Sequence, residues 1–67
     1  MTDSKKLREA VAAKGLKYNY LADNLGITPY GLQKKIENDT EFKAGEVKKL
    51  SDLLGLSNRE RDAIFFA

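Results

Sequence analysis

Apolar residues recur at helical spacing in five short stretches of this chain, each closed by a residue that ends helices. Leu7 and Val11 lie four apart with Ala10 beside them, which predicts a first helix over about Ser4 to Lys14. Thr2, Asp3 and Ser4 are its N-cap candidates, and Gly15 is its stop. Leu21, Ala22 and Leu25 form one stripe, predicting a second helix over about Tyr18 to Leu25. Leu32 and Ile36 mark the inner face of a third that begins at Pro29, and Asn38-Asp39-Thr40 reads as a turn with Asn38 a left-handed cap. Val47, Leu50 and Leu54 predict a fourth helix from about Ala44 to Leu54, capped by Gly55. Ser57 and Glu60 have capping-box spacing and open a fifth, from about Asn58 to Phe65 or Phe66. No stretch alternates with period two, so the predicted class is all-α, a single domain of five short helices.

The stretch "NLGITPYGLQKKIEN", residues 24–38, stops one helix and restarts another almost at once. Gly26 stands where a left-handed residue would end the second helix. Thr28 is a good N-cap, and Pro29 fits the first helical position, where its missing N–H would be unpaired anyway. Helices joined by so short a turn must cross steeply, at about 90–120° in a helix-turn-helix. With Leu32 and Ile36 turned inward, the third helix is expected to present Pro29, Tyr30, Gln33, Lys34 and Glu37 outward. That face starts at a helix N-terminus, where backbone N–H groups and the dipole favour phosphate.

Composition narrows the chemistry. Sixty-seven residues suit one small domain with a thin stability margin, with no room expected for a separate sensor or oligomerisation domain. The sequence holds neither cysteine nor histidine, so disulfides, thiolate zinc sites and the commonest general base are all excluded. No carboxylate spacing matches a calcium loop, and no nucleophile has a base beside it; no metal, cofactor or small-molecule ligand is expected, and no enzymatic activity. No apolar run reaches the roughly 18 residues of a membrane span and the N-terminus lacks a signal-peptide core, so a cytoplasmic protein without a membrane partner is expected. Net charge is only +2, but residues 1–34 carry six Lys/Arg against three Asp/Glu, while residues 35–67 carry six against seven. This asymmetry permits a nucleic-acid partner without requiring one.

"LADNLGITPYGLQKKI" resembles the Cro/cI-type (XRE) helix-turn-helix family of phage and bacterial repressors. Leu21-Ala22, Leu25-Gly26-Ile27 and a capped following helix with Leu32 carry the likeness. The flanks "LREAVAAKGL" and "FKAGEVKKLSDLLGLS" extend it over roughly Lys5 to Ile64. The resemblance implies a lambda-repressor-like domain whose third helix enters the DNA major groove while the second lies across the backbone. By motif position, Thr28, Pro29, Tyr30, Gln33 and Lys34 would face base edges or nearby phosphates, and Tyr18 would approach a phosphate. Three departures stand out. Tyr18 occupies a place commonly held by Gln. Lys43 stands where many members have a Ser or Thr cap. A buried Arg–Glu pair found in many members falls at Val11 and Ile36, an apolar substitute that avoids burying charge.

Each candidate has a plainer alternative. Gln33 suits adenine N6/N7, or is a solvated residue on an amphipathic helix. Lys34 and Lys35 are adjacent and cannot point the same way; Lys34 is the better DNA contact, and Lys35 reaches a phosphate or snorkels over the core edge. Tyr30 packs on a thymine methyl, binds phosphate or covers Pro29. Lys5, Lys6 and Arg8 are phosphate candidates or simply solvated; Lys43, Lys48 and Lys49 could reach the backbone from the fourth helix, Lys43 standing nearest the turn after the third. In "AIFFA", residues 63–67, Ile64 faces the core, and at least one of Phe65 and Phe66 is expected to stay half covered; Phe65 or Phe66 then forms a weak homodimer contact, strengthened on DNA, or both rings simply close a small core. The function expected from the resemblance is sequence-specific repression by occupancy of a double-stranded DNA operator. The alternative is a protein-binding adaptor, antirepressor or antitoxin-like, on the same fold.

Overall fold

A computed structural model covers residues 1–67 and holds five helices: α1 (Ser4–Lys14), α2 (Tyr18–Leu25), α3 (Pro29–Ile36), α4 (Ala44–Leu54) and α5 (Asn58–Phe65). No strand is present. The caps explain the boundaries. Asp3, rather than Thr2 or Ser4, caps α1 by accepting from Lys6 N–H at 3.0 Å. Thr28 Oγ1 accepts from Gly31 N–H at 3.0 Å, with Pro29 in the first turn of α3. At α5, Ser57 and Glu60 satisfy each other's backbone N–H groups, which holds the Glu60 carboxyl below its ordinary pKa.

One core unites the helices. Leu7 and Val11, Leu21 and Ala22, Leu32 and Ile36, Val47, Leu50 and Leu54, and Ile64 and Phe65 are all buried in a single cluster. Its partly buried margin includes Leu25, Ile27, Phe42 and Leu56. Helix α2 packs against α3 and α4, while α1, α4 and α5 pack against one another. Ala22 is fully covered, and its single methyl lets α3 approach α2 closely.

Gly26 has φ +70°, the left-handed conformation that turns the chain from α2 toward α3. An added Cβ would meet nothing within 4 Å, so any cost of substitution is backbone strain rather than collision. Gly26→Val is expected to lower stability by more than about 1 kcal/mol, measured by thermal or denaturant unfolding. An unchanged midpoint would show that the turn tolerates a β-branched residue.

Asn38, at φ +66°, ends α3 with a second role. Its side chain brackets the main chain of Thr2, accepting from Thr2 N–H at 3.0 Å and donating to Thr2 C=O at 2.9 Å. Ser4 Oγ donates to Ile36 C=O, and Asp3 N–H donates to Ile64 C=O at 2.6 Å. The N-terminal residues therefore tie the end of α3 to the end of α5. Thr2 is buried by this arrangement despite its hydroxyl.

The last two aromatic residues separate sharply. Phe65 is 4% exposed and stacks edge-on against Phe42 at 5.3 Å, whereas Phe66 is 65% exposed. Phe65 is thus a core residue and not part of a dimer contact, because its ring is already packed against Phe42 and the core cluster. Phe66 alone keeps that role open.

Candidate nucleic-acid interface

Helix α3 buries Leu32 and Ile36 and turns Pro29, Tyr30, Gln33 and Glu37 to solvent, with Lys34 half-buried beside them. Tyr30 is 70% exposed, and the Lys34 ammonium lies 5.6 Å from the centre of its ring, a cation–π contact across one helical turn. Tyr18 opens α2 and stands across from this helix. Between them runs an open cleft of about 380 Å³, walled by Arg8, Tyr18, Asn19, Pro29, Tyr30 and Gln33, with the buried Ile36 beneath. The hydrogen bond beside it is the α3 cap, which Gly31 N–H donates to Thr28 Oγ1. The Gln33 amide and the hydroxyls of Tyr18 and Tyr30 take part in none and are free for a ligand. Thr28 accepts the cap hydrogen bond, which leaves its hydroxyl proton available to donate outward.

No family model, no curated protein and no solved structure matches the chain.

Of the expected site residues, the fold brings Tyr18, Pro29, Tyr30 and Gln33 to one cleft, with Thr28 and Lys34 adjoining in sequence. Lys35 departs from expectation. Its ammonium is 2.9 Å from Glu46 Oε1 and 3.0 Å from the Glu41 carbonyl, and both Lys35 and Glu46 side chains are only 13% exposed. One residue beyond Lys34, it turns toward α4 and holds the two helices together, so it is not available as a surface contact. Lys43 stays exposed at the start of α4, in a separate hollow with Asn24, Leu25 and Lys49. Its side chain supplies no cap acceptor, as expected of lysine, but Glu46 Oε1 accepts the Lys43 backbone N–H at 2.8 Å. Half a capping box therefore serves α4.

Arg8 was a sequence candidate for phosphate, and its place in the cleft gives it a second partner. Val11 and Ile36 are buried as expected of an apolar contact, yet α1 and the end of α3 are still joined by charge. Arg8 Nη2 lies 3.6 Å from Glu37 Oε2, with both side chains nearly half exposed. The pair sits one position past Ile36, on the solvent side of the same junction. Asn19 and Lys17 were missed by the sequence reading. Asn19 lines the cleft, and Lys17 caps α2 beside Tyr18, exposed and without a carboxylate partner. Their place in the first turn after Leu16 was the available signal. Lys6 faces the α1–α5 side with Glu9 and Glu60, away from the cleft.

Glu46 makes this junction pH-sensitive. Burial alone would raise its pKa, but the hydrogen bonds from Lys43 N–H and Lys35 and the two nearby ammonium charges outweigh that effect. Its carboxyl titrates below the ordinary value of 4.5. A folded-state pKa below the unfolded one gives stability that is fully present above the unfolded value and lost as pH falls through the folded one. Glu46→Gln is therefore expected to cost about 1–2 kcal/mol at pH 7, with the gap to the parent protein narrowing as pH falls below the ordinary value of 4.5. Denaturant unfolding at pH 7 and pH 3 measures it; an equal gap at both would remove the charge from the explanation.

Proposed function

We propose that this chain is a sequence-specific double-stranded DNA-binding regulator, a Cro/cI-like helix-turn-helix domain that represses by occupying an operator. The observation that carries the reading is the outward face of α3, where Tyr30, Gln33 and Lys34 stand free beside the cleft shared with Tyr18. In this reading α3 enters the major groove. Gln33 offers a donor and an acceptor to adenine, while Tyr18, Thr28, Lys34 and Lys17 meet phosphates. Lys43 reaches the backbone from the start of α4, and Lys35 and Phe65 act only within the fold. No catalytic step is assigned, and no group of His, Cys, Asp or Glu is placed to hold a metal.

Pairing of two copies on a palindromic site is part of this proposal, since one recognition helix reads only a few base pairs. Phe66 supports it, standing exposed beside a hollow of about 420 Å³ between α4 and α5. One exposed ring and its neighbours would bury little against the roughly 1,200 Å² of a standard interface, so free protein is expected to be monomeric and to pair on DNA.

Selection from random duplex DNA, followed by binding titration, tests the reading. Gln33→Ala should cost about 1–3 kcal/mol on the selected site and relax choice at one base pair. Folded protein that retains no duplex at low salt would overturn the proposal and favour a protein-binding adaptor. Unchanged affinity and selectivity in Gln33→Ala would move the reading surface off this face of α3.

A further inference from the structure

Resting on that reading, we propose that the site recognised by α3 contains a thymine whose 5-methyl group packs into the cleft between Tyr30, Pro29 and Tyr18, one base pair from an adenine held by Gln33.

The spacing along α3 comes first. Tyr30 and Gln33 are three residues apart, on one face, so their attachment points differ by about 4.5 Å along the helix axis. Stacked bases on one strand are about 3.4 Å apart. Two side chains so placed meet neighbouring base pairs rather than the same one. Gln33 has the amide that matches adenine N6 and N7. Tyr30 offers an aromatic surface, and in the major groove the complementary apolar feature is the thymine methyl.

The cleft supplies the pocket. Pro29 and Tyr18 line the cleft with Tyr30 and add apolar carbon to it. The Lys34 ammonium, stacked over the Tyr30 ring, does not line the cleft, so the ring is held from one side and open on the other. Charge fits the same occupant. Lys17 and Lys34 adjoin the cleft and neither has a carboxylate partner, while Arg8 in its wall is paired with Glu37. Cationic margins around an apolar recess suit a base edge presented between phosphates, as a duplex presents it.

The experiment replaces thymine by deoxyuridine, which deletes the methyl and preserves pairing. A duplex selected from random sequence is resynthesised with each thymine changed singly and titrated with the protein and with Tyr30→Ala, whose exposed position leaves the core intact. One substitution per half-site, next to the adenine whose loss Gln33→Ala no longer senses, should weaken wild-type binding about fourfold, the burial of a single methyl. Tyr30→Ala should bind both duplexes equally. Retained duplex binding with no thymine sensitivity at any position would overturn this inference while leaving DNA binding intact, as would sensitivity that persists in Tyr30→Ala or a selected site with no thymine beside that adenine. Failure to retain any duplex would overturn the underlying reading and this inference together.

Discussion

Raising salt from about 50 to about 200 mM is expected to reduce affinity for the selected duplex about 150-fold per protomer, the largest effect foreseen for this protein. The figure follows from about four neutralised phosphates, each releasing counterions, and a slope of log K against log salt near −3.6. Lys17, Lys34, Lys43 and Lys49 are the side chains with the charge to do this. None of them is in an ion pair, and they lie near α3, at the start of α2 and along α4. The structure sharpens the test beyond net charge, which is only +2. Lys34→Ala should make the slope shallower by about 0.9. Lys35→Met should leave the slope alone and lower stability instead, because its ammonium is already committed to Glu46 and the Glu41 carbonyl. A flat salt response across all duplexes, or a slope change with Lys35→Met but not Lys34→Ala, would contradict this distribution of charge.

Phe65→Ala is expected to cost about 3–5 kcal/mol, and Phe66→Ala less than about 0.5. Phe65 is buried against Phe42 and the core, so truncation leaves a cavity that the small domain cannot refill. A 67-residue domain has a total stability of only about 3–10 kcal/mol, so the first variant should lose a third or more of it and unfold at a much lower temperature or denaturant concentration. Phe66 projects from the C-terminal end of α5 and loses little by truncation. Its expected effect lies in assembly: Phe66→Glu should abolish cooperative binding to a palindromic duplex while preserving the helical circular-dichroism signal and half-site affinity. Persisting cooperativity would place the two-fold contact elsewhere. Loss of the fold in Phe66→Glu would make that ring structural after all.

The division between these neighbours shows what the chain's local chemistry can and cannot settle. Helix limits were legible because each is decided within a few residues. Gly26 turns left-handed on its own account, Thr28 reaches only as far as Gly31, and Ser57 and Glu60 satisfy one another across a single turn. The inner faces were legible for a similar reason, since a period near 3.6 places Leu7 with Val11 and Leu32 with Ile36 whatever they pack against. Pro29, Tyr30 and Gln33 could be placed outward by the same arithmetic.

Partners across the fold were another matter. Lys35 and Lys34 look alike in sequence, and only the approach of α4 made one a strut while the other stayed over Tyr30. Phe65 and Phe66 differ only in which of them meets Phe42. The ion pair between α1 and α3 lies at Arg8 and Glu37 because the solvent edge of that junction, not its interior, tolerates charge cheaply. Asn38 could be read as a turn residue, but its grip on Thr2 joins positions 36 apart. Sequence alone determined the helices and the faces they bury, because propensity, capping and periodicity act over one or two turns. The tertiary structure decided which outward groups remain free to meet a ligand, because burial and charge pairing depend on segments brought together only by packing.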